Sequence, residues 1–411
     1  MWLSTAVDYS VARQLDATDH EPSRRRLLGV SIAVNLGVLG FFKYANFFVD
    51  SAQDLASRAG FDTPSWTLNV LLPVGISFYT FQTLAYTIDV YRRRLPAEDH
   101  LPTFALYVAY FPQLVAGPIE RATRLLPQLR DLPGRVSSQS TTSGLRLILF
   151  GLIQKAVLAD VVAPHVNAVY ANPEQTTLVS GLAAIVGFSI QIYGDFAGYS
   201  NIARGTSRLL GVELMVNFTQ PYLSRSITEF WRRWHISLSL WLRDYLYIPL
   251  GGNRGTINAT RRNLMLTMLL GGLWHGAAWT FVVWGGLHGL YLLLERGSPV
   301  DERTAPGWAA TTFALVALTW VPFRAASFSD AIDVLLGLSR LNGTGQLSVI
   351  DIATVFLAGL AMVTLDQRRR NQELTPDTNR PVQSGALYGA AAVMVFIATA
   401  TTAEPFIYFQ F

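Results

Sequence analysis

Long apolar runs, separated by short polar connections, follow one another along most of the chain. A helix needs about 20 largely apolar residues to cross a bilayer, so the longer runs predict membrane-spanning helices. Shorter or glycine-rich runs predict re-entrant or broken helices, which membranes tolerate only inside a protein or beside a wet cavity. We therefore expect an all-α, polytopic integral membrane protein with about eight to ten transmembrane or re-entrant helices. The runs are 27–49, 68–90 (with a kink at Pro73 and Gly75), 101–115, 145–162, 178–196, 264–281, 282–294, 308–321, 350–365 and 386–401.

The apolar runs continue to the end of the chain, and no internal repeat or low-complexity tract interrupts them. We therefore expect residues 1–411 to form one membrane-embedded domain without a separate soluble part. A transporter built on inverted repeats would be expected to show weak internal symmetry, which this sequence lacks.

Composition narrows the class of protein further. Hydrophobic residues make up 51% of the chain and charged residues only 15%, against roughly 25% charged residues in a typical soluble domain. This composition excludes a disordered chain, a coiled coil and an ordinary soluble enzyme. The absence of cysteine excludes disulfides, thiolate zinc sites and catalytic thiols. A net charge of +4 is small for this length and gives no case for nucleic-acid binding.

One charged segment, residues 226–253, reads SITEFWRRWHISLSLWLRDYLYIPLGGN. Ser226 and Glu229 fit a capping box at a helix start, and Pro249 predicts where the helix ends. Apolar side chains recur at steps of three and four and so share one face. An aromatic stripe beside arginines predicts an interfacial basic and aromatic helix, lying where lipid headgroups meet tails. The stripe consists of Trp231, Trp234, Leu238, Trp241 and Tyr245.

The polar residues of this segment allow two interpretations. Arg232, Arg233 and Arg243 fall mainly on other faces of the predicted helix. They either attract the phosphates of an anionic donor from the cytoplasm or extend to lipid phosphates. His235, which lies inside the predicted helix, is either hydrogen-bonded to a backbone carbonyl or part of the chemistry.

A histidine within an apolar run is a functional candidate, because ionisable residues at membrane depth are costly. His275 has Trp274 and Trp279 nearby and is followed directly by Gly276 and two alanines. Small residues let another backbone or an extended ligand approach, and indoles can exclude water. Burial would keep the imidazole neutral, as a general base requires. Small-residue helix packing around a hydrogen-bonded histidine is the alternative.

His288 lies 13 positions after His275, or about 220° round a continuous helix. It cannot share a face with His275 unless the chain breaks at Gly285 and Gly286, so we expect a structural role. Zinc held by these two histidines and His235 is disfavoured, because separations of 40 and 13 match no zinc signature.

Asp195 is the other ionisable residue in an apolar setting. A carboxylate at this depth must be paired, hydrogen-bonded or protonated, and Arg204 or a histidine is the expected partner. Tyr193 and Tyr199 add polar groups nearby. The cluster is either a path for a hydroxyl-rich substrate or a structural network.

Five blocks of the sequence resemble the membrane-bound O-acyltransferase family, most of all its bacterial branch that acts in alginate O-acetylation. The resemblance covers nearly the whole chain, and the blocks around His235 and His275 are specific to the family. The blocks are YFPQLVAGPIER at 110–121, QIYGDFAGYSNIA at 191–203, FWRRWHISLSLWLRDYLYIPLGGN at 230–253, GGLWHGAAWTFVVWGGLHG at 271–289 and PFIYFQF at 405–411.

This resemblance implies a ring of membrane helices around a central tunnel, with His275 at its centre. His235 falls on the position of the family's other motif histidine. Members transfer acyl groups from coenzyme A or a carrier-protein thioester to hydroxyls. In the bacterial polysaccharide branch the acyl group crosses the cytoplasmic membrane to an extracytoplasmic partner acyltransferase. Members of this branch have one or two further N-terminal helices, so this chain is expected to begin after them.

We therefore expect a multi-pass inner-membrane O-acyltransferase that moves an acetyl group from acetyl-CoA, a co-substrate, towards an extracytoplasmic polysaccharide. No bound cofactor or metal is expected. His275 would be the general base, and His235 would orient it or stabilise the oxyanion. The donor phosphates are assigned to Arg232, Arg233 and Arg243, and the substrate path to Asp195, Tyr193, Tyr199, Trp274 and Trp279.

Three alternatives stay open at this point. The first is a channel or exporter for an acyl donor or a glycan, with no chemistry of its own. The second is a catalytically silent membrane anchor for a secreted acyltransferase. The third is an enzyme that transfers D-alanyl or another acyl group.

Overall fold

A computed structural model of the chain describes residues 1–61, 67–68, 71–114, 117–296, 307–369, 381–401 and 404–407. Over these residues the chain forms α-helices joined by short π-helical and 3-10 turns, without a β-strand. The all-α prediction is confirmed. The described residues form two compact units, residues 1–135 with 211–214 and residues 136–210 with 215–411. The prediction of one domain over 1–411, and that of a helical ring around a tunnel, stay predictions.

Four helical segments in the described part of the chain are long and apolar enough to cross a membrane. They are Glu21–Arg58, Ser138–Ala171, Leu178–Leu209 and Val349–Arg368. A shorter apolar helix covers Tyr388–Ala400. These segments include the predicted runs 27–49, 145–162, 178–196 and 350–365.

In the first unit, the residues that the structure describes form six helices. A π-helical turn at Gly40–Tyr44 joins the second helix, which ends at Leu39, to the third, which begins at Ala45. The run 68–90 is not one kinked helix, as predicted, because its helix begins only at Ile76, after Gly75 at φ 74°. A Cβ atom at Gly75 would overlap the carbonyl oxygen of Leu114. The six helices are α1 (Trp2–Ala17), α2 (Glu21–Leu39), α3 (Ala45–Arg58), α4 (Ile76–Tyr91), α5 (Leu101–Val108) and α6 (Ala122–Arg130).

Buried polar side chains tie α1, α2 and α4 together. The carboxylate of Asp8 on α1 accepts hydrogen bonds from Ser31 Oγ at 2.5 Å and from Asn35 Nδ2 at 2.8 Å, both on α2. Thr83 Oγ1 on α4 donates to Asn35 Oδ1 at 3.1 Å. Each of these side chains is fully buried, so the network fixes how the three helices pack against one another.

Arg24 is also buried, at 2% exposure, and it binds the ends of two helices. Its guanidinium donates to the carbonyl oxygens of Leu15 and Thr18 at the end of α1 and to that of Tyr91, at 2.7 Å, at the end of α4. The last carbonyls of a helix have no intrahelical donor and carry the negative end of its dipole. Arg24 therefore supplies positive charge and donors where both helices need them.

We expect Arg24→Gln to destabilise the protein by about 2 kcal/mol or more, because a hydrogen bond to a charged group contributes roughly 1.5–3 kcal/mol. Arg25→Gln is the matched control, since Arg25 is mostly exposed and pairs with Glu21 one turn earlier; its effect should stay within about 0.5 kcal/mol. Thermal unfolding of the purified protein in detergent measures both. Equal melting temperatures for the two variants would contradict this role of Arg24.

Eleven helices lie in the described part of the second unit, and a π-helical segment at Ile153–Ala159 joins the first two. The run 178–196 continues as a helix through the polar residues after it, to Leu209. The helices are α7 (Ser138–Leu152), α8 (Asp160–Ala171), α9 (Leu178–Leu209), α10 (Ile227–Arg233), α11 (Ile236–Leu242), α12 (Ile257–His275), α13 (Trp279–Glu295), α14 (Gly307–Arg324), α15 (Phe328–Gly337), α16 (Val349–Arg369) and α17 (Pro381–Thr401).

Glycines bring α7 and α9 into backbone contact. A Cβ atom at Gly151 would lie 2.5 Å from the carbonyl oxygen of Gly198, and one at Gly205 would lie 2.5 Å from that of Gly144. Small residues at a crossing allow this approach, which is a common way of packing helices in membranes. The contact holds α9, which carries Asp195, in place.

Candidate functional site

His275 lies where two helices of a tight hairpin meet. It is the last residue of α12, and the extended residues Gly276 and Ala278 lead into α13. A Cβ atom at Gly272 would overlap the carbonyl oxygen of Phe281, and one at Gly285 would overlap that of Met268. The two backbones are therefore in contact. Helix α12 therefore ends at His275, whereas α13 is continuous through Gly285.

His235 lies in a break between two short helices, so the prediction of one continuous helix over residues 226–253 is wrong. Helix α10 ends at Arg233 and α11 begins at Ile236. His235 between them has a φ of 42°, in the left-handed region. An α-helix cannot continue through this conformation. The reason lies in another segment, residues 217–219, which pairs with the backbone on both sides of the break.

The capping box predicted at Ser226 and Glu229 forms only in part, whereas the helical part ends before Pro249 as predicted. Ser226 Oγ accepts from the backbone N–H of Glu229 at 2.9 Å, as an N-cap does. The carboxylate of Glu229 accepts from Arg225 N at 2.6 Å, so it faces the residue before the cap. The helical part ends with a π-helical turn at Arg243–Tyr247, before Pro249.

The aromatic stripe of the segment is buried inside the protein. Trp234, Leu238, Trp241 and Tyr245 are between 1% and 9% exposed. These four side chains therefore belong to the core of the second unit, although the break at His235 prevents one shared helix face, and Trp231 is half-buried. The location of the segment at a membrane interface stays a prediction.

The structure brings the two histidines together. The ring centroids of His235 and His275 lie 6.2 Å apart, and Trp274 packs against both rings. Trp284 and Phe323 contact His275 at 5.1 and 5.5 Å between ring centroids. Both histidines are at least 95% buried. The pair thus lies in a largely aromatic environment from which water is excluded.

Burial determines the charge of His235. His235 lies outside the four apolar spans and is fully buried against Phe196, at 4.6 Å between ring centroids. Burial disfavours the charged imidazolium and lowers the pKa of His235 to about 3. The ring is therefore neutral near pH 7 and carries one N–H donor and one acceptor nitrogen.

Asp195 takes part in a buried ionic cluster with Lys155, and not with Arg204 or a histidine as we expected. Lys155 Nζ lies 3.1 Å from Asp195 Oδ1 and 2.6 Å from Asp160 Oδ1. It also donates to the carbonyl oxygen of Glu404 at 2.9 Å. The backbone N–H of Ile407 donates to Asp195 Oδ2 at 2.5 Å. The cluster thus joins the π-helical segment, α9 and the described C-terminal residues.

The other residues predicted for the substrate path lie in different surroundings. Tyr193 donates to Asp366 Oδ1 at 3.2 Å and packs on Tyr222 and Trp234, whereas Tyr199 packs on Phe406. Trp279 is 54% exposed at the start of α13. Of the five predicted path residues, Trp274 is the one whose ring contacts both histidines.

Comparison with known proteins identifies the family to which the chain belongs. Residues 91–320, which include His235 and His275, match the model of the membrane-bound O-acyltransferase family. The chain belongs to this family. It is therefore an O-acyltransferase embedded in a membrane.

The relatives of this chain carry names that refer to different polymers. The chain is 42% identical to a probable alginate O-acetylase of Pseudomonas putida, over 95% of this chain and 85% of the relative. It is 35% identical to a peptidoglycan O-acetyltransferase of Helicobacter pylori, over 86% and 72% respectively. Identity to a teichoic acid D-alanyltransferase of Streptococcus thermophilus is 29%, over 57% of this chain and 59% of that protein.

The three arginines assigned to the donor of this O-acyltransferase lie near the histidine pair in sequence but differ in their surroundings. Arg233 pairs with Glu229 on the preceding turn, and Arg243 pairs with Asp244 at 2.7 Å. Arg232 is exposed. Binding donor phosphates would require Arg233 and Arg243 to exchange a carboxylate for a phosphate, so their role stays a prediction.

Several residues of the site gave no chemical signal in the sequence. The sequence does not distinguish Phe196, Trp284 and Phe323 from its many other aromatic residues. They reach the two histidines only through the packing of α9, α13 and α14. His288 also packs on Trp284, at 4.9 Å between ring centroids. Its Nε2 lies 2.9 Å from Thr319 Oγ1, which is consistent with the structural role that we expected.

Proposed function

We propose that this enzyme transfers an acetyl group from cytoplasmic acetyl-CoA towards hydroxyl groups of an extracytoplasmic polysaccharide, with His275 as general base. The observation that carries the proposal is the buried pair of His275 and His235, at 6.2 Å between ring centroids, in an O-acyltransferase. The relatives named for acetylating alginate and peptidoglycan support acetyl as the group and a polysaccharide as the acceptor.

The reaction needs one proton acceptor and one site for negative charge. His275 takes the proton of the incoming hydroxyl as its oxygen attacks the thioester carbonyl carbon. The tetrahedral intermediate then collapses, the carbon–sulfur bond breaks, and the proton passes from His275 to the departing thiolate. General-base help of this kind contributes about 10²–10⁴ in rate.

His235 acts beside this proton transfer. As a neutral imidazole it has one N–H, which donates either to the oxyanion of the intermediate or to His275. A donor that is already in place costs no reorganisation when the charge develops, and it acts strongly where water is excluded. The aromatic rings around the pair protect the thioester from hydrolysis.

A donor inside the cell and an acceptor outside it require a passage through the membrane. We therefore place the protein in the cytoplasmic membrane as a multi-pass protein, with a partner acyltransferase on the outer side. The acetyl-CoA phosphates bind at Arg232, Arg233 and Arg243, and no further cofactor is needed.

Reconstituted vesicles test this function directly. The purified protein is inserted into liposomes, acetyl-labelled CoA is added on one side and a soluble polysaccharide acceptor on the other. We expect free CoA thiol to be released only when both the protein and a hydroxyl acceptor for the acetyl group are present. Acetyl label should reach the acceptor when the partner acyltransferase is added.

The same vesicles separate this proposal from the channel or exporter. A channel would carry label across the membrane while no free CoA thiol accumulates. That result would overturn the proposed chemistry. Thiol release with a D-alanyl carrier thioester but not with acetyl-CoA would instead overturn the assignment of the acyl group.

A further inference from the structure

The backbone of His235 is in a conformation that a residue with a side chain avoids. Its φ of 42° places it in the left-handed region, between α10 and α11. Such a residue is strained and persists only where the surrounding structure holds it. His235 also occupies the N-cap position of α11, and its own side chain makes no capping hydrogen bond.

Asn217 supplies the missing capping interactions from another part of the chain. Its carbonyl oxygen accepts from the backbone N–H of Ile236 at 2.9 Å. Its side-chain Oδ1 accepts from Ser237 N at 3.2 Å and from Ser237 Oγ at 2.9 Å. The first N–H groups of a helix have no intrahelical acceptor, so Asn217 satisfies the start of α11 directly after His235.

The same segment holds the chain just before His235. The backbone N–H of Thr219 donates to the carbonyl oxygen of Arg233 at 3.0 Å. Between the two contacts, Phe218 stacks on the His235 ring, at 6.5 Å between ring centroids and 19° between ring planes. Residues 217–219 therefore hold His235 from both sides along the chain and from one face of its ring.

Asn217 is itself fixed to the helix behind the site. It is 1% exposed, and its Nδ2 donates to Ser200 Oγ on α9 at 3.3 Å. Helix α9 also provides Phe196, which contacts the His235 ring. Asn217 therefore links the segment next to His235 to α9, the helix that also packs against the His235 ring.

We propose that Asn217 is a positioning residue that holds His235 in its left-handed conformation and directs its ring at His275. The inference rests on the proposed function, because it matters for catalysis only if His235 does. The side-chain oxygen is the essential group, since it accepts both hydrogen bonds from Ser237. The amide nitrogen only completes the contact with α9.

Two substitutions at Asn217 distinguish the role of its side-chain oxygen from that of its amide nitrogen. Asn217→Leu removes the acceptor at similar size, and we expect it to lower kcat for acetyl-CoA turnover as much as His235→Ala does, with KM within about twofold. Asn217→Asp keeps the acceptor towards Ser237 and should retain most of the activity. Ser200→Ala, which removes only the contact with α9, should also retain most of it. Elution volume and melting temperature report whether each variant is folded.

The double variant N217L/H235A shows whether Asn217 acts through His235. We expect it to be no slower than H235A alone. Multiplied losses, or full activity of N217L beside an inactive H235A, would overturn this inference and leave the proposed function standing. Full activity of H235A would instead count against the proposed role of His235. If N217L does not fold, Ser237→Ala replaces it, because it removes one of the two hydrogen bonds and should lower kcat by a smaller factor.

Discussion

Replacing His275 with alanine is expected to lower acetyl-CoA turnover by about 10²–10⁴-fold, the usual contribution of a general base. The ring is 95% buried between Trp284, Phe323 and His235. No water could take over a proton from the acceptor in a site so enclosed, so the loss should approach the upper end of this range. Release of free CoA thiol in vesicles measures it.

His288→Asn is the matched control for this substitution. His288 is also buried and also packs on Trp284, at 4.9 Å between ring centroids, and it contacts Thr319. We expect its replacement to lower the melting temperature while turnover per folded molecule stays close to that of the unchanged protein. A normally folded His275→Ala protein with full activity would end the assignment of the base.

The helical fold could be predicted from the sequence because it depends on local pattern. Bilayer thickness requires long apolar runs, and the runs 27–49, 145–162, 178–196 and 350–365 lie in helices that are long enough to span. For the run 68–90, Pro73 and Gly75 predicted a kink within one helix, whereas Gly75 is left-handed and the helix begins only after it, at Ile76. A hydropathy profile reflects how apolar the side chains are, and it contains no information on the φ angle of a single residue.

The two histidines could be selected from the sequence, but their geometry could not. Periodicity predicted one helix through His235 because the apolar residues on both sides keep a helical spacing. The break is imposed by Asn217 and Thr219, which lie 18 and 16 positions earlier. The strain at His235 is held by contacts that are distant along the chain, and no local propensity contains them.

The partner of Asp195 illustrates the same limit. A buried carboxylate needs a partner, and this requirement could be predicted from the sequence. The choice of Lys155 depends on the π-helical segment Ile153–Ala159 and on backbone contact between α7 and α9. Because only Lys43 and Lys155 are lysines in this chain, the rarity of the residue was the one signal that could have singled it out.

Adding a single methyl group to the hairpin of α12 and α13 should disturb the position of His275, although no polar residue is changed. We expect Gly285→Ala to destabilise the protein by about 1–3 kcal/mol, the usual cost of overpacking. The new Cβ atom would overlap the carbonyl oxygen of Met268, which belongs to the backbone of α12 and cannot rotate away. The hairpin must therefore open, and His275 at its tip must shift relative to His235. We expect CoA release per folded molecule to fall as well.

Gly286→Ala provides the control at the next position of the same helix. Both substitutions raise helix propensity by roughly 0.5–1 kcal/mol, but a Cβ atom at Gly286 would meet only Leu269 Cδ2, at 3.3 Å. That atom is the end of a flexible side chain, so Gly286→Ala should leave stability and turnover nearly unchanged. The difference in melting temperature between the two variants isolates the backbone contact. If both alanines were tolerated equally, close contact between α12 and α13 would not be what positions His275.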